Sequence, residues 1–457
     1  MPIQPISLMR TILHRITSNP LTKRMLRNTG YLFSASTLSA GLSMLQGVLA
    51  AQLLGVAAFG VLGAITQFAS VINKITSFRM SELVVNFIGE FSAEGKNRHA
   101  SALFKAAALS EIGSSIVAYA LLLILAPLGA RYIAKDPATV NLFILYGLSI
   151  FANLIVETST GLLQIYDRFK AIAAATMIQS ILTLVLITIA FLNRGHLTEV
   201  VFAYLVGKGV WAGLISIYAL RVAREHWGPG WWNAPLAIIS DRRKEMLRFA
   251  ISTNLSGTIN LLTRDSDILW LSALTNPIQA GYYKVAKAFM NVLLIPVTPL
   301  ISTTYREVTR EVIKKRWENV RYLIRSGTLL SALWTLPASL GLVLFGPWLV
   351  TLYGHGFRPA YLVLLILLIG VIAANLIYWS RSVLLALGMP EYPTKVGLVA
   401  GLLQIGGMLL TVPLWGAPAM AAMLSLFFLV NALVLLRKTQ VELRRVSSPK
   451  LSTSTGD

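Results

Sequence analysis

Residues 360–387 read AYLVLLILLIGVIAANLIYWSRSVLLAL, and Arg381 is the single charged residue among them. About 20 consecutive apolar residues suffice to cross roughly 30 Å of hydrocarbon as a helix. Similar stretches recur on both sides, so that 55% of all residues are hydrophobic, 13% are charged and the mean hydropathy is +0.67. Because a soluble domain has about a quarter of its residues charged, the sequence predicts a chain whose solvent is the lipid bilayer.

Twelve apolar stretches predict twelve transmembrane helices, at 28–54, 60–88, 101–126, 139–163, 171–192, 199–220, 249–274, 282–304, 327–350, 360–387, 394–414 and 416–436. The connections on one side of the membrane hold 29 of the 40 Lys and Arg residues, whereas the opposite connections hold four. Lys and Arg accumulate in cytoplasmic loops. We therefore expect both termini and the large central loop to be cytoplasmic.

The two halves of the chain resemble each other. A shift of 221 residues aligns Arg27 with Arg248, Leu53 with Leu274 and Gly60 with Gly281. Six helices per half keep both repeats in the same orientation, which predicts an all-α polytopic protein of two bundles related by a pseudo-twofold axis along the membrane normal. The predicted segments are a basic cytoplasmic or interfacial segment at 1–27, an N-lobe at 28–220, a linker at 221–248, a C-lobe at 249–436 and a cytoplasmic tail at 437–457.

Charged residues inside the predicted helices are the candidate functional residues. A charge at the bilayer centre costs about 2.5–3.5 kcal/mol on insertion scales, so such residues should face each other or a wet cavity. Arg and Lys suit phosphate oxygens. The candidates for a substrate-binding cationic cavity are Lys74, Arg79, Arg264, Lys284, Lys287 and Arg381, and the candidates for binding a coupling proton or Na⁺ are Glu82, Asp265 and Asp267.

Structural roles remain open for several of these residues. Arg79 and Glu82 are three residues apart and can form an ion pair on one helix face. The Lys284 and Arg381 side chains can instead extend to the membrane interface. Glu157 and Lys208 lie near helix ends, which favours structural roles, and Glu111 suits either packing or an ion site.

Several functional classes are excluded. The chain has no cysteine, which rules out disulfides, thiolate metal ligands and Cys nucleophiles. It has no Walker lysine loop, no strand-associated G-x-G-x-x-G and no H-E-x-x-H, and its five histidines lack metal-ligand spacing. We therefore expect no catalytic site, metal or bound cofactor. The net charge is +21, and most of the basic residues lie in connections on one side of the membrane. We therefore expect these residues to interact with anionic lipids rather than with nucleic acid.

The motifs at the ends of the first and seventh helices resemble those of a known family. Gly55-Val-Ala-Ala-Phe-Gly60 and Asn276-Pro-Ile-Gln-Ala-Gly-Tyr-Tyr283 are similar to turns of the Wzx-like polysaccharide flippases in the multidrug/oligosaccharidyl-lipid/polysaccharide exporter superfamily. Further matches are Phe78–Glu82, Glu157–Gly161 with Asp167–Phe169, and Gly354–Phe357. The resemblance spans about residues 25–440.

This resemblance implies alternating access and a specific cargo. The cargo would be an oligosaccharide linked to undecaprenyl diphosphate, moved from the cytoplasmic to the outer leaflet of the bacterial inner membrane during lipopolysaccharide or exopolysaccharide biosynthesis. A cationic cavity would hold the sugar-phosphate head, with Arg79, Arg264, Lys287 and Arg381 as candidates by position. Membrane lipids and polysaccharide polymerase or assembly proteins are the implied partners.

Three other functions remain open. A cation-coupled multidrug exporter of the same superfamily is favoured by Asp265 and Asp267, whereas the seven basic residues inside helices argue against it. A peptidoglycan-precursor flippase usually has fourteen helices. A membrane glycosyltransferase or polymerase would need a sizeable external loop, and every predicted external loop is short.

Overall fold

The structure of the protein, a computed structural model, describes residues 20–77, 80–250, 261 and 265–447. Within these ranges every regular element is a helix. The predictions for residues 1–19 and 448–457 therefore lie outside the described residues. The side chains of residues 20–33, 302 and 447 are not described either.

The helices of the N-terminal half are α1 (Pro20–Thr76), α2 (Met80–Leu83), α3 (Gly89–Ala93), α4 (Asn97–Leu128), α5 (Val140–Gly147), α6 (Ser149–Ala152), α7 (Val156–Ile165), α8 (Phe169–Leu192) and α9 (Leu197–Trp227). Those of the C-terminal half are α10 (Asp267–Leu274), α11 (Pro277–Leu294), α12 (Val297–Ile313), α13 (Trp317–Thr351), α14 (Ala360–Leu376), α15 (Trp379–Ala386) and α16 (Glu391–Ser447). Two π-helices, Val84–Ile88 and Gly129–Ile133, extend α2 and α4. Short 3₁₀ turns cover Pro137–Thr139, Trp231–Asn233, Leu236–Arg242 and His355–Phe357.

Eight helices in the described part of the chain are long and apolar enough to cross a membrane, or nine if the bent pair α11 and α12 is one span. Two helices are 57 residues long, and each changes direction at a glycine with positive φ. The first of them, α1, contains the first predicted span and the part of the second up to Thr76, and α16 contains the last two predicted spans. These glycines are Gly55 (φ 72°) and Gly416 (φ 62°), in a conformation that other residues rarely adopt. Each of the twelve predicted spans falls mostly on helical residues where the structure describes it, which confirms a polytopic all-helical protein.

Several predicted spans contain described residues that are not helical, among them Ser77 in the second and Ser266 in the seventh. The fourth breaks between Ala152 and Val156, the eighth at Pro296, and the tenth between Leu376 and Trp379. Non-helical backbone at membrane depth is tolerated only where it is buried in protein or lines a wet cavity. These breaks are therefore places where polar groups must find partners inside the protein.

Contacts within the molecule divide it into two compact units. The first unit consists of the described residues of Met1–Leu49, Ala69–Pro127 and Val140–Thr258, and the second of those of Ala50–Phe68, Leu128–Thr139 and Ile259–Asp457. Two short pieces of the N-terminal half, around residues 50–68 and 128–139, thus pack with the C-terminal half. The lobe boundaries in the sequence, 28–220 and 249–436, remain predictions.

The first unit buries an apolar core that the predicted linker extends. Phe87 and Phe104 are almost fully buried in this core. The Phe104 ring contacts the rings of Trp227 and Trp231, at centroid distances of 5.7 and 5.4 Å. The first part of the 221–248 segment therefore packs against α4, because its tryptophans have apolar surface to bury.

The second unit has an apolar cluster around Val308, Val320 and Val383. At the break between α14 and α15, the buried Asn375 side chain donates hydrogen bonds to the Leu293 carbonyl (3.1 Å) and to the Thr335 hydroxyl (3.2 Å). Buried amides need such partners. Asn375 therefore joins α14 to α11 and α13.

Candidate functional site

The candidate site lies in the second unit, where the limb of α1 after Gly55 crosses α11. Gly60 and Gly281 meet at this crossing. A Cβ atom on Gly60 would collide with the carbonyl of Pro277, and one on Gly281 would lie 2.5 Å from the carbonyl oxygen of Val56. Two helices can approach this closely only where side chains are missing. The shift of 221 residues that aligned the two halves also pairs Val56 with Pro277, so the contact is reciprocal.

Lys284 lies one turn beyond Gly281 on α11. Its Nζ atom lies 4.0 Å from the centroid of the Phe59 ring, and its Cδ atom is 3.0 Å from where a Cβ on Gly63 would be. An ammonium over an aromatic face is attracted by the ring quadrupole. Among the described residues no carboxylate lies within ion-pair distance of this ammonium. The Lys284 side chain is thus half-buried, and its ammonium lies against the Phe59 ring.

Lys287 lies on the same helix, three residues further on, and has a different partner. It forms an ion pair with the Oδ2 atom of Asp267, whose side chain is 1% exposed. The Tyr283 hydroxyl donates a hydrogen bond to the same oxygen (3.0 Å), and the Ile268 backbone N–H donates to Oδ1 (2.8 Å). Of the predicted site residues, Lys287 and Asp267 are thus brought into direct contact.

Aromatic rings surround the Phe59 side of this site. Phe59 packs against Tyr353 and Phe357, at centroid distances of 6.3 and 5.8 Å, and Tyr353 also packs against Phe289. All four rings are buried. They make the surroundings of Lys284 apolar, which strengthens its electrostatic interactions.

Further contacts in the second unit connect the two halves of the chain. The Gln52 side chain donates to the Leu352 carbonyl (2.7 Å), and the Ser272 hydroxyl donates to the Ile133 carbonyl (2.8 Å). Lys135 donates to the Ala273 carbonyl (2.9 Å). All of these residues lie at the ends that the charge distribution predicts to be external. The halves are therefore joined at that side through backbone carbonyls.

The other predicted substrate-binding residues have different locations. Lys74 is exposed on α1 in the first unit, where its charge interacts with that of Lys208 on α9. Arg381 is exposed on α15 in the second unit. Arg79 and Arg264 lie outside the described residues, and so does the predicted pairing of Arg79 with Glu82.

The predicted ion-coupling residues are divided between the units. Asp265 and Asp267 belong to the second unit, where Asp265 is half-buried. Glu82 belongs to the first unit and lines a groove of about 430 Å³. Of these, Asp267 is in direct contact with a lysine, Lys287.

Two residues make contacts that the sequence pattern did not predict. They are Glu111 and Phe59. Glu111 on α4 is 4% exposed, and its two carboxylate oxygens accept hydrogen bonds from the backbone N–H groups of Glu157 (2.8 Å) and Thr158 (3.1 Å). It therefore caps the broken fourth span at the start of α7. The acidic residue in an otherwise apolar helix was a usable signal, but its partners are backbone groups 46 and 47 residues away.

A charge cluster also forms outside the membrane-spanning segments. Arg242 bonds Glu90 (2.7 Å) and Glu245 (2.9 Å), and its guanidinium stacks over the rings of Phe87 and Phe91. The hydrogen bonds to Glu245 and Glu90 raise the pKa of Arg242 further above its ordinary value, and the Arg242 hydrogen bond lowers the pKa of Glu245. Arg242 thus ties the linker to α3 in the first unit.

Solved transporters share this fold. The lipid II flippase MurJ in an inward closed conformation superimposes with a TM-score of 0.70 over 91% of this chain and 90% of that chain, at 16% identity. An inward-facing multidrug resistance MATE family transporter of the MOP superfamily also gives 0.70, over 90% and 96%, at 13% identity. The fold and its apolar helices define a multi-pass membrane protein with the architecture of these solved structures.

The chain belongs to the polysaccharide biosynthesis protein family, whose sequence model matches residues 25–305. The inner membrane protein YghQ of Escherichia coli (strain K12) is 24% identical over 346 residues, which cover 74% of this chain and 95% of that protein. The uncharacterized membrane protein MJ1375 of Methanocaldococcus jannaschii is 24% identical over 286 residues, covering 60% and 67%. The predicted family resemblance is therefore confirmed.

Proposed function

We propose that the protein is a flippase that carries a polyprenyl-diphosphate-linked oligosaccharide from the cytoplasmic to the outer leaflet of a bacterial inner membrane. It acts by alternating access and supplies surface polysaccharide biosynthesis, with membrane lipids and polysaccharide polymerase or assembly proteins as partners. Membership of the polysaccharide biosynthesis family and the fold shared with a lipid II flippase support this proposal.

The observation that carries the proposal is the position of Lys284. Its ammonium lies in a membrane-spanning helix against the Phe59 ring, with no carboxylate partner among the described residues. A cation in such surroundings is stabilised by an anionic ligand, and a lysine binds phosphate oxygens as a point charge. The diphosphate group of the lipid is the anion that this class of cargo provides.

Lys287 supplies a second cation by exchanging partners. Its charge is neutralised by Asp267 in the structure. When the diphosphate binds Lys284, Lys287 on the same helix turns toward the added negative charge and releases Asp267. The Asp267 carboxylate retains the Tyr283 hydroxyl and the Ile268 N–H but has lost its cation. It then takes up a proton or Na⁺, because a buried carboxylate without a counter-charge is costly.

This exchange links the binding of the cargo to the binding of the coupling ion. The substrate binds one member of the ion pair and the coupling ion binds the other, so binding of either one releases the partner of the other and favours its binding. Asp265 and Glu82 remain further candidates for binding the coupling ion. In this mechanism the chain moves its cargo without making or breaking a covalent bond, which sets it apart from a membrane glycosyltransferase or polymerase.

The second candidate is a cation-coupled multidrug exporter, favoured by the fold shared with a multidrug transporter. Such an exporter needs an acidic residue that is available to an organic cation. Asp267 is held by Lys287 and Tyr283, and Lys284 would repel a cationic drug that approached Phe59. The arrangement around α11 therefore favours the anionic cargo.

The test uses purified protein in liposomes that contain polyprenyl-diphosphate-linked oligosaccharide. Flipping is measured as the loss of the glycan's accessibility to a membrane-impermeant oxidising enzyme. We expect Lys284→Met to lower substrate affinity by about ten- to a hundred-fold, the value of a hydrogen bond to a charged group, and Lys284→Arg to retain part of it. Lys395→Met, at an exposed lysine, is the matched control.

Two results would contradict the proposal. One is equal flipping by the Lys284→Met and Lys395→Met proteins. The other is a deletion strain that keeps normal surface polysaccharide and becomes sensitive to cationic drugs, which would favour the exporter. Loss of surface polysaccharide, with the lipid-linked glycan trapped on the cytoplasmic leaflet, would support the flippase.

A further inference from the structure

A second polar site lies in the first unit. It is a groove of about 430 Å³ lined by Ser81, Glu82, Val85, Asn86, Gly89, Gln164 and Phe249. Small-molecule sites have volumes of roughly 300–1,000 Å³. Its residues come from the end of the second predicted span, the end of the fourth and the start of the seventh. The predicted topology places all three ends at the cytoplasmic side.

Two local features of the sequence form this groove. The π-helix at Val84–Ile88 widens the second span, and π-bulges inside helices are frequent at functional sites. Gly161 on α7 lets the two spans approach, since a Cβ there would lie 2.9 Å from the Ser81 carbonyl oxygen and 2.8 Å from Val84 Cγ1. Asn86 on the second span and Gln164 on α7 are both exposed, and both line the groove.

An aromatic ring forms another part of the lining. Phe249 packs edge-to-face against the buried Phe87, with a centroid distance of 5.7 Å and an interplanar angle of 88°. The guanidinium of Arg242 stacks over the Phe87 ring, and its charge is neutralised by Glu90 and Glu245. The ring of Phe249 is thus held in a defined orientation at the edge of the groove.

The chemistry of the lining suits a sugar better than a phosphate. Asn86 and Gln164 each offer amide donors and a carbonyl acceptor, and Ser81 offers a hydroxyl. This set matches neighbouring sugar hydroxyls, which both donate and accept. Among the residues of the lining that the structure describes, none is Lys or Arg. Phe249 offers an apolar face to the C–H side of a pyranose ring.

We propose that this groove binds a sugar of the lipid-linked glycan through its hydroxyl groups and selects which glycans enter from the cytoplasmic side. The inference rests on the proposed function and deepens it. The diphosphate and the glycan are recognised at separate places, the lysines of α11 and the groove of the first unit. An organic cation would have no need of the three neutral polar side chains of the lining, Ser81, Asn86 and Gln164.

The test measures binding to the full-length protein in nanodiscs with two ligands. One is polyprenyl-diphosphate-linked oligosaccharide and the other is the same polyprenyl diphosphate without sugar. We expect Asn86→Leu and Gln164→Leu each to weaken binding of the glycan-bearing lipid by about ten-fold, the value of one hydrogen bond lost from a polar site. Binding of the sugar-free lipid should not change. Asn97→Leu, at an exposed asparagine of the same unit, is the control.

A second measurement does not depend on the leucine variants folding normally. Because the chain has no cysteine, Asn86→Cys introduces a single thiol for maleimide labelling. Glycan-bearing lipid should slow labelling at this position, and sugar-free lipid should not.

The outcomes separate this inference from the proposed function. If both lipids bind but the groove variants weaken both equally, or weaken neither, the groove is not a sugar site. If the wild type binds neither lipid, the proposed function fails and the inference fails with it. Binding of a cationic dye that Glu82→Gln abolishes, while Asn86→Leu leaves it intact, would replace the sugar with an organic cation.

Discussion

Gly60 and Gly281 are 221 positions apart in the chain and face each other where α1 crosses α11. Each glycine abuts a carbonyl of the opposite helix, and those carbonyls belong to residues related by the same shift of 221, Val56 and Pro277. A contact that repeats itself under exchange of the two halves has the geometry of an isologous interface. Each half of the chain therefore contributes the same kind of contact to this crossing.

We expect Gly281→Ala to destabilise the protein by about 1–3 kcal/mol, the usual cost of overpacking a close contact. The added Cβ would lie 2.5 Å from the Val56 carbonyl oxygen, so the two helices must separate. The apparent midpoint of thermal unfolding in detergent measures the effect. Gly113→Ala, where a Cβ meets open space, is the control and should not lower the midpoint. Equal midpoints would show that the crossing tolerates a side chain.

Removing one partner of the ion pair at the candidate site should destabilise the protein more than removing both partners. Lys287→Met leaves the Asp267 carboxylate buried without its cation, which costs about 3–5 kcal/mol. The double variant Lys287→Met with Asp267→Leu removes both charges and should recover most of that loss. The yield of monodisperse protein and its unfolding midpoint provide the double-mutant cycle.

The exposed pair of Lys395 and Glu391 is the reference for this cycle. Both side chains are at least 75% exposed, and such pairs contribute about 0–1 kcal/mol. The double variant at the buried pair should fold yet fail to flip lipid-linked glycan. A double variant that transports normally would exclude Lys287 and Asp267 from the mechanism.

Glu111 provides a prediction for the broken fourth span. Glu111→Ala leaves two backbone N–H groups without their carboxylate, and each such bond contributes about 1.5–3 kcal/mol. We expect faster amide hydrogen exchange at Glu157 and Thr158. Glu199→Ala removes an exposed carboxylate that accepts from the His196 N–H, and it should cause only a local change at the start of α9. Unchanged exchange at the break would show that Glu111 does not hold it.

The linker should lose protection from hydrogen exchange at acidic pH. The pKa of Glu245 is lowered from 4.5 by its hydrogen bond to Arg242. A depressed carboxyl pKa contributes stability that is present above the unfolded value and is lost as the pH falls through the folded value. We therefore expect hydrogen exchange in residues 236–242, measured relative to its intrinsic rate at each pH, to increase below about pH 4.5.

Substitution of Arg242 tests the origin of this pH dependence. Arg242→Gln removes the partner of both Glu90 and Glu245, so protection should be low at every pH. Lys244→Gln, at an exposed neighbour, should keep the wild-type profile. A wild-type profile in Arg242→Gln would place the anchoring of the linker elsewhere.

Local periodicity predicted the elements well and their interruptions poorly. The twelve apolar spans follow from the length that hydrocarbon demands, and the structure places helices on all of them where it describes the chain. The breaks at Asn153–Ile155 and Ile377–Tyr378 were not expected, because each depends on a remote partner. Glu111 supports the first, and Asn375 bonds α11 and α13 beside the second.

The candidate site was predicted in its residue types but not in its pairings. Lys284 and Lys287 stood out as charges at helical spacing in an apolar segment. Spacing shows which face of a helix they share, but it does not show what lies opposite that face. Arg381 had the same sequence signal and is exposed. Tyr283 and Phe59 gave no polar signal, since an aromatic residue in a membrane helix is usually packing.

The sequence by itself determined that the chain is helical, polytopic and built of two similar halves, because the bilayer restricts both the length of a span and the backbone that can form it. It also determined that Gly60 corresponds to Gly281, since an internal repeat can be detected by aligning the sequence with itself. The tertiary structure alone decided that Lys287 pairs with Asp267 while Lys284 rests on Phe59. Such partners come from different helices, and only three-dimensional packing selects which side chains meet across an interface.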